Sequence, residues 1–281
     1  MKRGTYTILT LGYIFLYVPI IFLMVFSFNE SFFPGIWTAF SLKWYKELFS
    51  NHVIWGAVKT SIKIAAMAAT GAVILGTMGA IVLTRSKQFR GKTLFSIISS
   101  APLVMPEIIL GISLLLMFVI CESVLGVPAK RGIATVTIAH ITLAIAYVML
   151  IIQPRLADFE ITLEEAARDL GARSFQTILS ITLPIIAPAI IAAWLLTFAV
   201  SLDDVVIASF LTGAQATTLP ILIFSSVKMG VTPEMNALAT LLVGVISLII
   251  AVIGFILYTK SVKDSKPFVR TSLRYPDNQA E

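Results

Sequence analysis

Six long apolar runs, separated by polar stretches, dominate the 281-residue chain. They extend roughly over Ile8 to Phe28, Ala57 to Thr84, Leu94 to Cys121, Ile133 to Gln153, Ile185 to Leu211 and Ala237 to Tyr258. Each reaches the about 20 apolar residues that a helix needs to cross about 30 Å of hydrocarbon. In lipid every backbone N–H and C=O must find a partner within its own segment, so the runs are expected as helices and not strands. The predicted fold class is all-α, a polytopic membrane protein with six transmembrane helices. The first run follows Met1-Lys2-Arg3, as a signal peptide would. It is long, contains Pro19 and ends in Ser27-Phe28-Asn29-Glu30 with no small-x-small cleavage pattern, so it reads as an uncleaved span.

Two finer patterns add detail. The stretch from Asn29 to Gly56 carries Trp37, Trp44, Tyr45 and Trp55, residue types that favour the membrane–water interface. A short amphipathic helix is expected there near Ser41 to Phe49. The second run places small residues at Ala68, Ala72, Gly76 and Ala80, one face of a helix, which lets another helix approach closely. That helix is expected in the core.

Charge then fixes class and orientation. Charged residues make up 13% of the chain and hydrophobic ones 58%. About a quarter of a soluble protein is charged, so this chain has too little charge to cover a water-facing surface. The net charge of +6 does not form a basic stripe with interleaved aromatics, and nucleic-acid binding is excluded on that ground. With the N-terminus on the cytoplasmic side, 14 of the 21 Lys and Arg residues fall in cytoplasmic segments. The excess predicts that both termini are cytoplasmic. One cysteine, Cys121, and two histidines, His52 and His140, offer neither an internal disulfide nor a metal-ligand cluster. Cys121 is expected as a helix-end packing residue, His52 in a loop, and His140 as a satisfied polar group within a helix. Gly91-Lys92-Thr93 is not a phosphate loop, because Ser86 stands where the required first glycine would be.

The polar segment from Pro154 to Pro184 is too polar to insert and too patterned to be a linker. Thr162 with Glu165 has the spacing of a capping box. Glu164 and Glu165 suit the positive end of a helix. Leu163, Ala166, Ala167 and Leu170 give an apolar face at helical spacing, and Gly171 ends or bends the helix. A second amphipathic stretch carries Phe175, Ile178 and Ile181, and Pro184 and Pro188 open the fifth span. The prediction is a cytoplasmic helix–turn–helix with one sticky face.

Three carboxylates lie within the apolar runs: Glu107 in the third, Asp203 and Asp204 in the fifth. An acid near the bilayer centre costs about 2.5–3.5 kcal/mol on insertion scales and tends to mark a pathway. All three are candidates to line such a pathway. The alternative for an Asp is a structural role, bonded to backbone or hydroxyls at a helix break. Glu107 follows Pro106, and a proline-interrupted helix frees carbonyls that could also bind a cation.

Here the sequence resembles a known family. Glu165-Ala166-Ala167, then Gly171, then Ile181-x-Leu183-Pro184 match the E-A-A loop of ABC importer permeases. The resemblance implies a type I ABC importer permease fold whose cytoplasmic coupling helix docks on an ATPase. Coupling would be carried by Glu165, Ala166, Ala167, Asp169, Gly171, Leu183 and Pro184. Ser201 to Val206, Thr212-Gly213, Thr218 to Pro220, Val227 to Glu234 and Asn236 to Thr240 resemble the polyamine-type permeases. Pro19-Ile20, Ser27-Phe28-Asn29 and Lys43-Trp44-Tyr45 do so as well. The chain is similar to the second permease of spermidine/putrescine importers, the putrescine system in particular. This implies residues 1–56 as the first helix with a periplasmic loop, 57–259 as a type-1 transmembrane domain, and 260–281 as a cytoplasmic tail. It implies a bacterial inner-membrane subunit, not an enzyme, with no cofactor of its own, ATP being bound by a partner. The implied partners are a second homologous permease, two copies of an ABC ATPase, a periplasmic polyamine-binding protein and membrane lipid. An ion-coupled secondary transporter would account for the acids but has no use for the amphipathic loop, and no repeated half-structure is visible. A membrane-embedded enzyme would need a nucleophile–base set or metal ligands in the spans. Another small solute as cargo stays open.

Overall fold

The computed structural model describes residues 2–33, 35–86, 88–128, 130–213, 216–230 and 232–264. Its helices are α1 (Lys2–Phe26), α2 (Lys43–Ser50), α3 (His52–Arg85), α4 (Lys92–Val104), α5 (Glu107–Leu125), α6 (Ile133–Ala157), α7 (Thr162–Asp169), α8 (Ser174–Thr177), α9 (Leu183–Asp203), α10 (Val206–Leu211), α11 (Leu219–Met229) and α12 (Pro233–Asp264). A π-helical turn, Ile178–Thr182, joins α8 to α9. Six segments are long and apolar enough to cross a membrane: Gly4–Phe26, His52–Arg85, Glu107–Leu125, Ile133–Ala157, Ser174–Asp203 and Pro233–Val252. Each overlaps one of the six apolar runs. Of the expected tail, residues 265–281 lie outside the described residues, as does Lys87.

The chain forms two units. One comprises the described parts of Met1–Leu48 and Thr232–Glu281, the other those of Phe49–Val231. In the first unit α1 packs on α12. The stretch after α1 is tied by Asn29, whose side-chain amide donates to the Ile36 carbonyl (2.6 Å) and accepts from the Thr38 N–H (3.0 Å). The Trp44 indole N–H, on α2, donates to the Asn29 carbonyl (2.7 Å), and Ser27 Oγ meets the Tyr45 hydroxyl (2.7 Å). Trp44 and Leu48 are the buried face of α2, the short amphipathic helix expected from the sequence.

In the second unit α3, α6 and α9 pack mutually and form the core. Ala68, Ala72, Gly76 and Ala80 are all buried, as the small-residue stripe predicts. A Cβ at Gly76 would lie 2.7 Å from the Val148 side chain on α6, so glycine there permits the close approach. Without a hydrophobic difference between helix and lipid, such close van der Waals contact is the main source of helix association. Trp194 on α9 donates its indole N–H to Thr70 Oγ1 on α3 (3.1 Å).

Several expectations are corrected. The third apolar run is not one helix: it breaks at Met105-Pro106 into α4 and α5. Pro106 has no N–H for the ladder and disfavours helical geometry at Met105, which has ψ of 138°. The fifth run ends at Asp203 and restarts as α10, with Asp204 extended between them. The stretch after Thr212, which lies between the fifth and sixth apolar runs, contains the helix α11. Thr218 precedes Leu219-Pro220, and proline suits the first turn of a helix. His52 opens α3 instead of lying in a loop; the cap is Asn51, which accepts from the N–H groups of Val53 and Ile54.

Candidate functional site

The polar loop folds as a hook. α7 is one helix of eight residues, and the expected Thr162 cap does not form. Thr162 is already the first helical residue, and the Glu165 N–H is taken by the Ile161 carbonyl (3.0 Å). At the other end the Ala172 N–H bonds to the Ala167 carbonyl (3.0 Å) and the Gly171 N–H to that of Arg168 (2.9 Å). This is the paired hydrogen-bond pattern that closes a helix on a left-handed residue. Gly171 supplies it with φ of +91°. The helix end read from the sequence therefore stands, with Gly171 as its cause.

The two adjacent glutamates part company. Successive helical residues point about 100° apart. Glu165 is exposed, whereas Glu164 is 5% exposed. Glu164 Oε1 accepts from Arg85 Nε (3.1 Å) at the end of α3 and from Thr182 Oγ1 (2.9 Å) just before α9. Its other oxygen lies 3.7 Å from the Arg168 guanidinium. Arg85 also bonds to the Phe159 carbonyl (3.5 Å) and sits over the Phe159 ring. Sequence reasoning passed over Glu164 as an anchor. Its partners are far along the chain, and helical periodicity carries no signal for them.

The opposite side of the hook is open. Leu170 is 91% exposed and Phe175 72%, and Leu163, Ala166 and Asp169 are exposed as well. Ala167 and Leu183 are half-buried and Pro184 is exposed. An apolar face held away from the bundle by a buried ion pair is a surface made to be covered.

The helix break between α9 and α10 gathers part of the predicted acid set. His140, on α6 and 3% exposed, reaches Ser201 Oγ through Nδ1 (2.6 Å) and Asp204 Oδ2 through Nε2 (3.1 Å). Asp204 also accepts from the N–H groups of Ile207 (3.3 Å) and Ala208 (2.7 Å), the first turn of α10. Toward a carboxylate Nε2 is the donor, and Nδ1 pairs with the Ser201 hydroxyl. His140 is thus a satisfied helix residue, as expected. Asp203, the last residue of α9, is exposed, and so is Glu107, the first residue of α5. Asp204 is therefore engaged within the core, and Asp203 and Glu107 are open. The α5 helix packs on α10, where a Cβ at Gly111 would meet the Phe210 ring.

Spanning helices, a break that holds two acids and an anchored helix with an uncovered apolar face fit a membrane transport subunit. Known proteins agree. The chain belongs to the family of binding-protein-dependent transport system inner membrane components, whose model matches residues 72–265. It is 49% identical over 263 residues to the putrescine transport system permease protein PotI of Escherichia coli strain K12, covering 94% of this chain and 92% of that protein. It is 40% identical over 252 residues to the spermidine/putrescine transport system permease protein PotC of the same strain, covering 90% and 92%. Among solved structures it resembles a chain of a bacterial ABC transporter that imports the acidic polysaccharide alginate, with a TM-score of 0.69, 16% identity and coverage of 92% and 95%. A chain of the MetNI methionine ABC transporter in inward-facing form matches with a TM-score of 0.57 and 16% identity, covering 72% of this chain and 92% of that one. The fold is that of type I ABC importer permeases, and the relatives make this chain a transport subunit and not an enzyme.

Proposed function

We propose that this chain is a permease subunit of an ATP-driven importer that moves a polyamine, putrescine in the first instance, from periplasm to cytoplasm. The observation that carries the reading is the exposed apolar side of the hook, Leu163 on α7, Leu170 at its end and Phe175 on α8, with α7 anchored from behind by Glu164. A separate ATPase covers that face, two copies serving two permeases, and ATP binds there and not on this chain. Glu165, Ala166, Ala167, Asp169 and Gly171 form the docking segment, and Leu183-Pro184 pass its motion into α9. A second homologous permease completes the path, a polyamine-binding protein delivers cargo from outside, and both termini face the cytoplasm. Residues 57–259 act as the transmembrane domain.

Polyamines carry two or more ammonium groups, whose desolvation is costly unless carboxylates meet them. Asp203 and Glu107 are the exposed acids that suit this role, while Asp204 is engaged with His140 and α10. Similarity to PotI favours putrescine, and the lower similarity to PotC keeps spermidine as the second reading. The test is purification of the chain with its partners, reconstitution in liposomes and measurement of labelled putrescine and spermidine uptake with and without ATP. Uptake that needs ATP and a co-purifying ATPase is expected. Uptake driven by an ion gradient in the absence of any ATPase overturns the reading.

A further inference from the structure

The Glu164 carboxylate is buried where three elements meet: α7, the end of α3 and the start of α9. A lone carboxylate there would be strongly unfavourable, and its burial is offset by the Arg85 guanidinium and the Thr182 hydroxyl. Removing either half leaves the other with weaker partners, the more distant Arg168 for Glu164 and the Phe159 carbonyl for Arg85, so the three elements are cheaper to move together than to separate. The two spans concerned belong to the core. α3 runs unbroken from His52 to Arg85, and α9 begins directly after Thr182, the last residue of the π turn. Arg85 further clasps the backbone of Phe159, just before α7.

We propose that Glu164 and Arg85 are positioning residues that form the joint through which displacement of α7 passes to α3 and α9. The assignment rests on the reading of α7 as an ATPase-docking helix. Glu164 does this from the side buried within the chain, while the neighbouring Glu165 faces outward. The joint is a contiguous network with two charged halves, the kind of connection that can carry coupling between distant sites. Thr182 is its neutral third member and fixes the joint to the wide π turn.

The experiment uses the complete reconstituted complex and reads cargo transported per ATP hydrolysed, beside co-purification of the ATPase. Glu164→Gln and Arg85→Gln each retain assembly and lower that ratio by about fivefold or more, the lower range of typical coupling energies. The exchange Arg85→Glu with Glu164→Arg recovers part of the loss, which a merely structural contact would not show in this ratio. Should the charged variants fail to assemble, Thr182→Val removes one hydrogen bond at nearly constant shape and lowers the ratio by about twofold to fivefold. An unchanged ratio in assembled Glu164→Gln and Arg85→Gln, or in Thr182→Val where those do not assemble, overturns the joint. The unmodified complex is the control for the underlying reading: if it hydrolyses no ATP in step with uptake, that reading fails and the joint's variants are not its cause.

Discussion

His140 on α6 and Asp204 between α9 and α10 are joined by a 3.1 Å contact in the core of the second unit, although they lie 64 residues apart. The pair organises the helix break, because the same carboxylate caps the first turn of α10. Loss of a hydrogen bond to a charged group costs about 1.5–3 kcal/mol. Loss of a neutral hydrogen bond costs about 1 kcal/mol. Thermal unfolding of the purified complex in detergent should therefore fall further for His140→Leu than for Ser201→Ala. Equal losses would mean that the carboxylate is not held by the imidazole.

Asp203 should behave differently from its neighbour. Asp203→Asn is expected to leave assembly and melting temperature near those of the parent and to lower putrescine uptake about tenfold, the scale of one charge-assisted hydrogen bond. Asp204→Asn is expected to act mainly on stability. Glu107→Gln is measured by the same uptake assay. Unchanged transport in assembled Asp203→Asn would remove that acid from the path.

Gly171 offers a test of the hook's shape. A Cβ there meets nothing within 4 Å, so the constraint is the backbone, with φ of +91°. A left-handed conformation costs most side chains about 1–2 kcal/mol, and asparagine tolerates it best. Gly171→Asn should keep stimulation of ATP hydrolysis by loaded binding protein, whereas Gly171→Val should insert in the membrane yet lose it. Survival of stimulation in Gly171→Val would show that the turn does not matter for coupling.

The α3–α6 seam predicts a size limit. Gly76→Ala places a methyl 2.7 Å from Val148 Cβ and Cγ1. Overpacking of this kind costs about 1–3 kcal/mol. Lower yield and melting temperature are expected, with partial recovery on pairing with Val148→Gly, which removes both contacting atoms. No recovery in the pair would place the strain elsewhere.

The parts legible in the sequence were those written in local periodicity. Six apolar runs, the Ala68–Ala72–Gly76–Ala80 stripe, the α2 helix and the end of α7 at Gly171 all follow from residues a turn or two apart. Pro106 marked a break whose consequence was underweighted, because a long apolar run reads as continuous until proline's missing donor is counted. The acids of the fifth run were singled out, but two adjacent aspartates look alike in sequence. Only the presence of His140, from another helix, separates an engaged Asp204 from an exposed Asp203. Glu164 was hidden for the same reason: Arg85 and Thr182 reach it across long separations that no pattern records. The exposed face of α7 was readable; what holds that face outward was not.

The amide of Asn29 donates to the Ile36 carbonyl and accepts from the N–H groups of Ser31 and Thr38. A carboxamide is the one common side chain that presents both polarities side by side at this length. Aspartate would turn the donor end into an acceptor facing the Ile36 carbonyl, and leucine would silence both ends. Position 29 therefore admits no gradual substitution, and a random variant library should lose the conformation of this loop all at once when that single letter changes.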